Sequence, residues 1–198
     1  SSGVSQIYSN PYAFAALKTD GSVITWGDSS HGGDISAVNS SLSSDVIQIC
    51  SNLYGFAALK TDGSVVTWGD SNYGGDSSSV SSSLSSGVSQ IYSTKYAFAA
   101  LKTDGSVVTW GYSDYGGDSS SVSSSLSSDV SQIYSTDYAF AALKDDGSVI
   151  TWGASSYGGD SSSVSISLSS GVSQIYSTNQ AFAALKTDGS VVTWGYSD

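Results

Sequence analysis

The sequence predicts an all-β fold: a β-propeller of about five three-stranded antiparallel blades joined by short helical connections. Three observations carry that expectation. Trp26, Trp68, Trp110, Trp152 and Trp194 recur at one spacing of 42 residues, each inside a near-copy of AFAALKTDGSVVTWG. A unit of that length is too small to bury its own apolar face and becomes stable only against its neighbours. Each unit also holds three strand-like runs, followed by a single longer connection. Hairpin-linked antiparallel strands repeated in this way describe a propeller, with a linear solenoid as the competing arrangement.

Residues 87–128 illustrate one unit. GVSQIYS (87–93) alternates around Ile91 and Tyr92 and reads as a first strand. YAFAALK (96–102) is the second, with Phe98 and Leu101 on opposite faces and Ala between them. SVVTWG (106–111) is the third, β-branched and aromatic. Thr103-Asp104-Gly105 lies between the last two, and Asp-Gly suits the positive φ values of a tight hairpin turn. The connection runs Tyr115-Gly116-Gly117-Asp118 and then SSSVSSSLSS, with Val122 and Leu126 four residues apart, the spacing of a helix face. Asp118 at the start and Gly87 or Gly171 at the equivalent ends are suitable caps, so a helix of about two turns is expected, with an irregular outer strand as the alternative.

The whole chain, 1–198, reads as a single repeat domain, with blade strands at about 4–27, 46–69, 88–111, 130–153 and 172–195. The connection occurs four times, always between blocks. Five blades fall within the known propeller range. The ring closes alone if Ser1–Val4 meets Trp194–Asp198; otherwise it is an arc completed by another chain or by further repeats. Because the chain begins without Met, it reads as a segment of something longer.

Composition limits the function classes. Net charge is −11, with 17 Asp and no Glu, against 6 Lys and no Arg. No basic patch is present to neutralise phosphates, so nucleic acid is not an expected partner. No apolar run approaches 18 residues, so membrane insertion is not expected either. The single Cys50 stands where other units carry Tyr8, Tyr92, Tyr134 and Tyr176, a small buried substitute with no disulfide partner.

The run FAALKTDGSVVTWGYSDYGG from Phe98 to Gly117 resembles the repeat of the regulator-of-chromosome-condensation superfamily. That repeat couples a strand of small and apolar residues to an Asp-Gly turn, a Val-x-x-Trp-Gly strand and a Gly-rich exit. The resemblance extends over essentially the whole chain through its five copies. It implies the propeller fold and a tendency to bind proteins. The superfamily includes a nuclear guanine nucleotide exchange factor and a secreted β-lactamase inhibitor protein, and its members typically have seven blades, where five copies occur here.

No catalytic, metal-binding or cofactor-binding set emerges. The only histidine, His31, takes the place of Tyr73, Tyr115 and Tyr157 and reads as a drifted aromatic loop position. His and Cys lack metal-ligand spacing. The units differ most at Pro11, Leu53, Lys95, Asp137 and Asn179, and again at Asp28, Asp70, Tyr112, Ala154 and Tyr196. Both columns leave the same end of a three-stranded sheet, opposite the nearly constant Asp-Gly hairpin. A ligand face there would be built from Tyr12, Tyr54, Tyr96, Tyr138, Asp28, Asp70, Tyr112 and Tyr196.

The expected function is a non-catalytic structural or protein-interaction scaffold within a surface or secreted repeat protein. The alternatives are a multivalent lectin-like carbohydrate binder and a regulator of the small-GTPase exchange-factor type. The expected partner is a protein or a glycan, with self-association if five blades do not close alone.

Overall fold

Every strand-forming run becomes a strand. A computed structural model describes residues 2–196. The first unit contains β1 (Val4–Ser9), β2 (Ala13–Lys18) and β3 (Val23–Gly27); the second β4 (Val46–Ser51), β5 (Gly55–Lys60) and β6 (Val65–Gly69). The third has β7 (Val88–Ser93), β8 (Ala97–Lys102) and β9 (Val107–Gly111); the fourth β10 (Val130–Ser135), β11 (Ala139–Lys144) and β12 (Val149–Gly153). The fifth has β13 (Val172–Ser177), β14 (Ala181–Lys186) and β15 (Val191–Gly195). Each unit is one antiparallel sheet with its strands in chain order. Register sets the second-strand Phe opposite the third-strand Trp, as for Phe98 and Trp110, whose rings stack 5.4 Å apart.

The hairpin between second and third strands departs from the expected turn. Gly105 takes φ +78°, but Asp104 does not share its positive φ. The amide of Gly105 donates to the Lys102 carbonyl at 3.0 Å, and the amide of Lys102 to the Ser106 carbonyl at 2.9 Å. This is the three-residue loop that ends in a left-handed Gly. Asp104 contributes through its side chain instead, its Oδ1 accepting from the amide and hydroxyl of Ser106 at 2.9 and 2.6 Å.

The outer connection is helical only in short pieces, which corrects the expected two-turn helix. Two 3₁₀ turns, Ser113–Tyr115 and Ser120–Val122, are followed by hydrogen-bonded turns up to Leu126. A run this rich in Ser has little helix propensity, and its hydroxyls bond back to carbonyls three residues earlier, as Ser123 does to Ser120 at 2.9 Å. Packing holds it in place: Leu42, Leu84, Leu126 and Leu168 are all buried between sheets. Where Gly87 and Gly171 end this segment at φ +75°, Asp45 and Asp129 occupy the same left-handed position at φ 67° and 64°. Asp is among the few non-Gly residues that tolerate it.

The apolar core consists of four similar layers, one between each pair of successive sheets. Between the first two, Ala13, Ala15, Leu17 and Val23 pack against Val46, Ile49, Phe56 and Trp68. No corresponding layer joins the fifth sheet to the first among the described residues. Trp26 is 43% exposed where Trp68 is 4% exposed, and Val191 is 61% exposed where Val23 is 4%. No backbone hydrogen bond links residues 172–196 to residues 2–27. Of the contact expected between Ser1–Val4 and Trp194–Asp198, residues Ser1, Ser197 and Asp198 lie outside the described part; Val4 itself is exposed. Among the described residues the five blades form an open arc.

Candidate functional site: a tyrosine-lined face

The connection between first and second strands and the exit from the third strand lie at the same end of each sheet, as expected. One hydrogen bond ties them: the amide of Asp28 donates to the Tyr12 carbonyl at 3.0 Å, Asp70 to Tyr54 at 2.9 Å and Tyr112 to Tyr96 at 3.0 Å. The opposite end is scaffold, since the Gly21 carbonyl there accepts from the amide of Val46 in the next unit.

The first of the variable columns forms the rim of a central cavity of about 490 Å³ that all five units line. From Leu53 onward successive rim residues are joined through their backbones: Leu53 donates to Lys95 at 3.1 Å, Lys95 to Asp137 and Asp137 to Asn179 at 2.9 Å each. The Lys95 ammonium pairs with the Asp137 carboxylate at 2.8 Å and lies 5.5 Å from the Tyr138 ring centroid. The pair raises the Lys95 pKa, through its hydrogen bond to Asp137 foremost. One residue earlier in each of the first four units, a side chain anchors the exit loop. Asn52 Nδ2 donates to the Tyr73 carbonyl at 2.6 Å, and the Thr94 hydroxyl to the Tyr115 carbonyl at 3.0 Å.

Those anchors draw the exit-loop aromatics inward, between the tyrosines that follow the rim. The result is a continuous row of rings: Tyr12, His31, Tyr54, Tyr73, Tyr96, Tyr115, Tyr138 and Tyr157. Centroids are 4.4 Å apart for Tyr12 and His31, 5.4 Å for His31 and Tyr54, and 4.5 Å for Tyr54 and Tyr73. The row continues with Tyr73 and Tyr96 at 5.6 Å, Tyr96 and Tyr115 at 4.9 Å, and Tyr115 and Tyr138 at 5.2 Å. It closes with Tyr138 and Tyr157 at 4.5 Å. Burial, reinforced by neighbouring phenols, lifts the Tyr54 and Tyr96 pKa values above the ordinary 10 and keeps both hydroxyls protonated.

The structure therefore brings Tyr12, Tyr54, Tyr96 and Tyr138 together. Tyr112 and Tyr196 lie alongside, exposed, against Tyr73 at 5.7 Å and Tyr157 at 6.1 Å respectively. Asp28 and Asp70 belong to the loop scaffold: their Oδ1 atoms accept from the amides of Ser30 and Asn72 at 2.9 Å. Hydrogen bonds from Ser30, then His31, lower the Asp28 carboxyl to about 2. Sequence reasoning did not include Tyr73, Tyr115, Tyr157 and His31 in the face. Their signal was available, since three of four exit loops carry Tyr before Gly-Gly and the fourth keeps a ring there.

Ser30, His31 and Asp28 lie together without the geometry of a nucleophilic relay. Ser30 Oγ and Asp28 Oδ1 both meet the same nitrogen, Nδ1, at 2.9 Å. A relay needs the acid on one ring nitrogen and the nucleophile on the other. Among the described residues no group of three or more His, Cys, Asp or Glu is arranged to hold a metal, and no helix is long and apolar enough to cross a membrane.

No family model matches the chain, and no curated protein does. Solved structures match it along nearly all its length at low identity. The ectodomain of the receptor kinase CR4 from Physcomitrella patens is 17% identical, with a TM-score of 0.56, over 98% of this chain and 50% of its own. Human WBSCR16 is 20% identical, with a TM-score of 0.58, over 97% of this chain and 61% of its own. Yeast RCC1 (Prp20), solved with Kap60 bound to it, is 19% identical, with a TM-score of 0.58, over 97% and 56%. The chain spans between half and about three-fifths of the length of these structures. Their likeness shows the fold, an RCC1-like β-propeller.

Proposed function

We propose that the chain is a non-catalytic propeller module that acts as a structural or protein-interaction scaffold and docks a protein through its tyrosine-lined face. The observation that carries this reading is the unbroken row of aromatic rings from Tyr12 to Tyr157 beside the open cavity rim. Half-buried Tyr offers large contact area with few side-chain rotations to freeze, which is why it is enriched at the centre of protein interfaces. Repetition multiplies the contact along one arc. Yeast RCC1, a propeller of this fold, is solved with a protein bound. The near-identity of the copies and the Ser-rich, acidic composition suit a surface or secreted repeat protein.

Glycan binding is the weaker reading. A sugar stacks on a free aromatic face, whereas Tyr96 is flanked along the row by Tyr73 and Tyr115. Exchange-factor activity gains no support from these loops.

The test uses the double variant Tyr96→Ala, Tyr138→Ala. A protein partner isolated on the immobilised chain and then purified should lose binding to the variant by about a hundredfold or more, while the thermal transition stays in place. Undiminished binding, or loss of the fold along with it, refutes the docking face. Binding to a glycan array by the parent chain, lost in the variant, replaces the protein partner with a carbohydrate.

A further inference from the structure

The same two surfaces meet four times in this chain. The trailing face of one sheet is small and aliphatic: Ala13, Ala15, Leu17 and Val23 in the first unit. The leading face of the next is large: Val46, Ile49, Phe56 and Trp68. The connection between them completes the contact in two ways. It places Leu42 against the leading sheet, and it presents the Gly32 carbonyl to Trp68 Nε1 at 3.1 Å. Trp110, Trp152 and Trp194 bond the Gly74, Gly116 and Gly158 carbonyls in the same way at 3.1, 3.2 and 3.1 Å.

In the first unit the leading face is complete but uncovered. Ile7 is 59% exposed where Ile49 is 2%, and Phe14 is 43% exposed where Phe56 is fully buried. Trp26 stacks on Phe14 at 5.2 Å, as each Trp does in its own blade, but its Nε1 has no glycine carbonyl opposite it among the described residues. Val4 and Ile24 extend the same apolar patch. A contiguous exposed surface of this kind marks an interaction site.

We infer that this leading face of the first unit is a docking surface for a further unit of the same 42-residue design, entering with its trailing sheet face and its exit connection. The interface it would continue is already present four times, and each occurrence shows what the face accepts: an Ala/Leu/Val sheet surface, one Leu from the connection, and one glycine carbonyl for the Trp. A second copy of this chain would offer the sheet part of that surface through Ala181, Ala183, Leu185 and Val191, whereas a whole unit brings the glycine carbonyl and the Leu of its connection as well. The added unit also extends the arc in the direction of closure, because the inner connections of all five units already converge on one cavity.

The experiment fuses residues 130–171 directly ahead of Val4 in the full chain, with Trp152→Phe in the added unit so that it carries no indole of its own. Hydrogen exchange of the indole N–H groups is then followed by NMR. In the parent chain, monomeric by sedimentation, the Trp26 indole should exchange freely while those of Trp68, Trp110, Trp152 and Trp194 are protected. In the fusion, Trp26 should slow by about tenfold or more and join the protected set. Ile7→Asp in the fusion should restore free exchange at Trp26 alone. Protection of Trp26 in the monomeric parent would mean that the ring closes on its own fifth blade. Protection only in a dimer would assign the face to a second copy. Free exchange in a fusion whose other four indoles stay protected would show that the added unit does not dock. Each of these outcomes overturns the inference. A second fusion, carrying residues 88–129 with Trp110→Phe, repeats the comparison should the first not fold.

Discussion

Gly74 and Gly189 hold φ values of +95° and +85°, yet they are constrained by different things. A Cβ on Gly74 would lie 2.7 Å from Cδ2 of the buried Phe98 ring, whereas a Cβ on Gly189 meets nothing within 4 Å. Gly189→Ala is therefore expected to cost only the left-handed backbone penalty, about 1 kcal/mol. Gly74→Ala adds a clash inside a packed layer and should cost about 3 kcal/mol. Equilibrium denaturation of the two variants checks the difference, and equal losses would contradict it. At this scale much can be read from sequence, because Gly-Gly after each of the first four third strands and Gly after each hairpin Asp announce special backbone. The ring row could be read only in part. Tyr73 and Tyr115 are distant in sequence from Tyr54 and Tyr96, and no local pattern says that Asn52 and Thr94 will draw the two sets together.

The hairpin between second and third strands shows how an element can carry a pH response. The carboxyls of Asp62, Asp104, Asp146 and Asp188 all lie below the ordinary 3.8, held down first by the hydroxyl and then by the amide of the Ser two residues on. A carboxyl whose folded pKa is depressed contributes stability that is fully present above its unfolded value. That contribution is lost as pH falls through the folded value. Asp104→Asn removes one such group while keeping a side-chain acceptor. Calorimetry should show a shallower drop in thermal midpoint between about pH 5 and about pH 2 than in the parent. An unchanged slope would mean that the carboxylate plays no part. The strands were legible because alternation and β-branching are local signals. The connection departs from the two-turn helix that the spacing of Val122 and Leu126 predicts. A chain of Ser residues bonding back to carbonyls fits turns just as well.

Across the whole molecule, four sheet-to-sheet layers hold five blades, so equivalent residues have unequal weights. Trp110 is 3% exposed and bonded to Gly74, whereas Trp26 is 43% exposed on the open face. Trp110→Ala should destabilise the chain by about 4 kcal/mol and Trp26→Ala by under about 2 kcal/mol. Chemical denaturation of the pair measures the gap; equal losses would indicate that the first blade is covered in solution. The period, the three strands of each unit, the nearly constant hairpin end and the variable opposite end are all legible in the amino-acid sequence. Those follow from patterns that lie within a few residues or repeat at a fixed interval. The open arc between Val191 and Trp26, and the single row made by tyrosines from separate loops, emerge only in the folded molecule. Closure depends on the angle between successive sheets, and the row on hydrogen bonds reaching across 21 residues, as from Thr94 to Tyr115. Neither quantity is encoded in the composition or spacing of a single repeat.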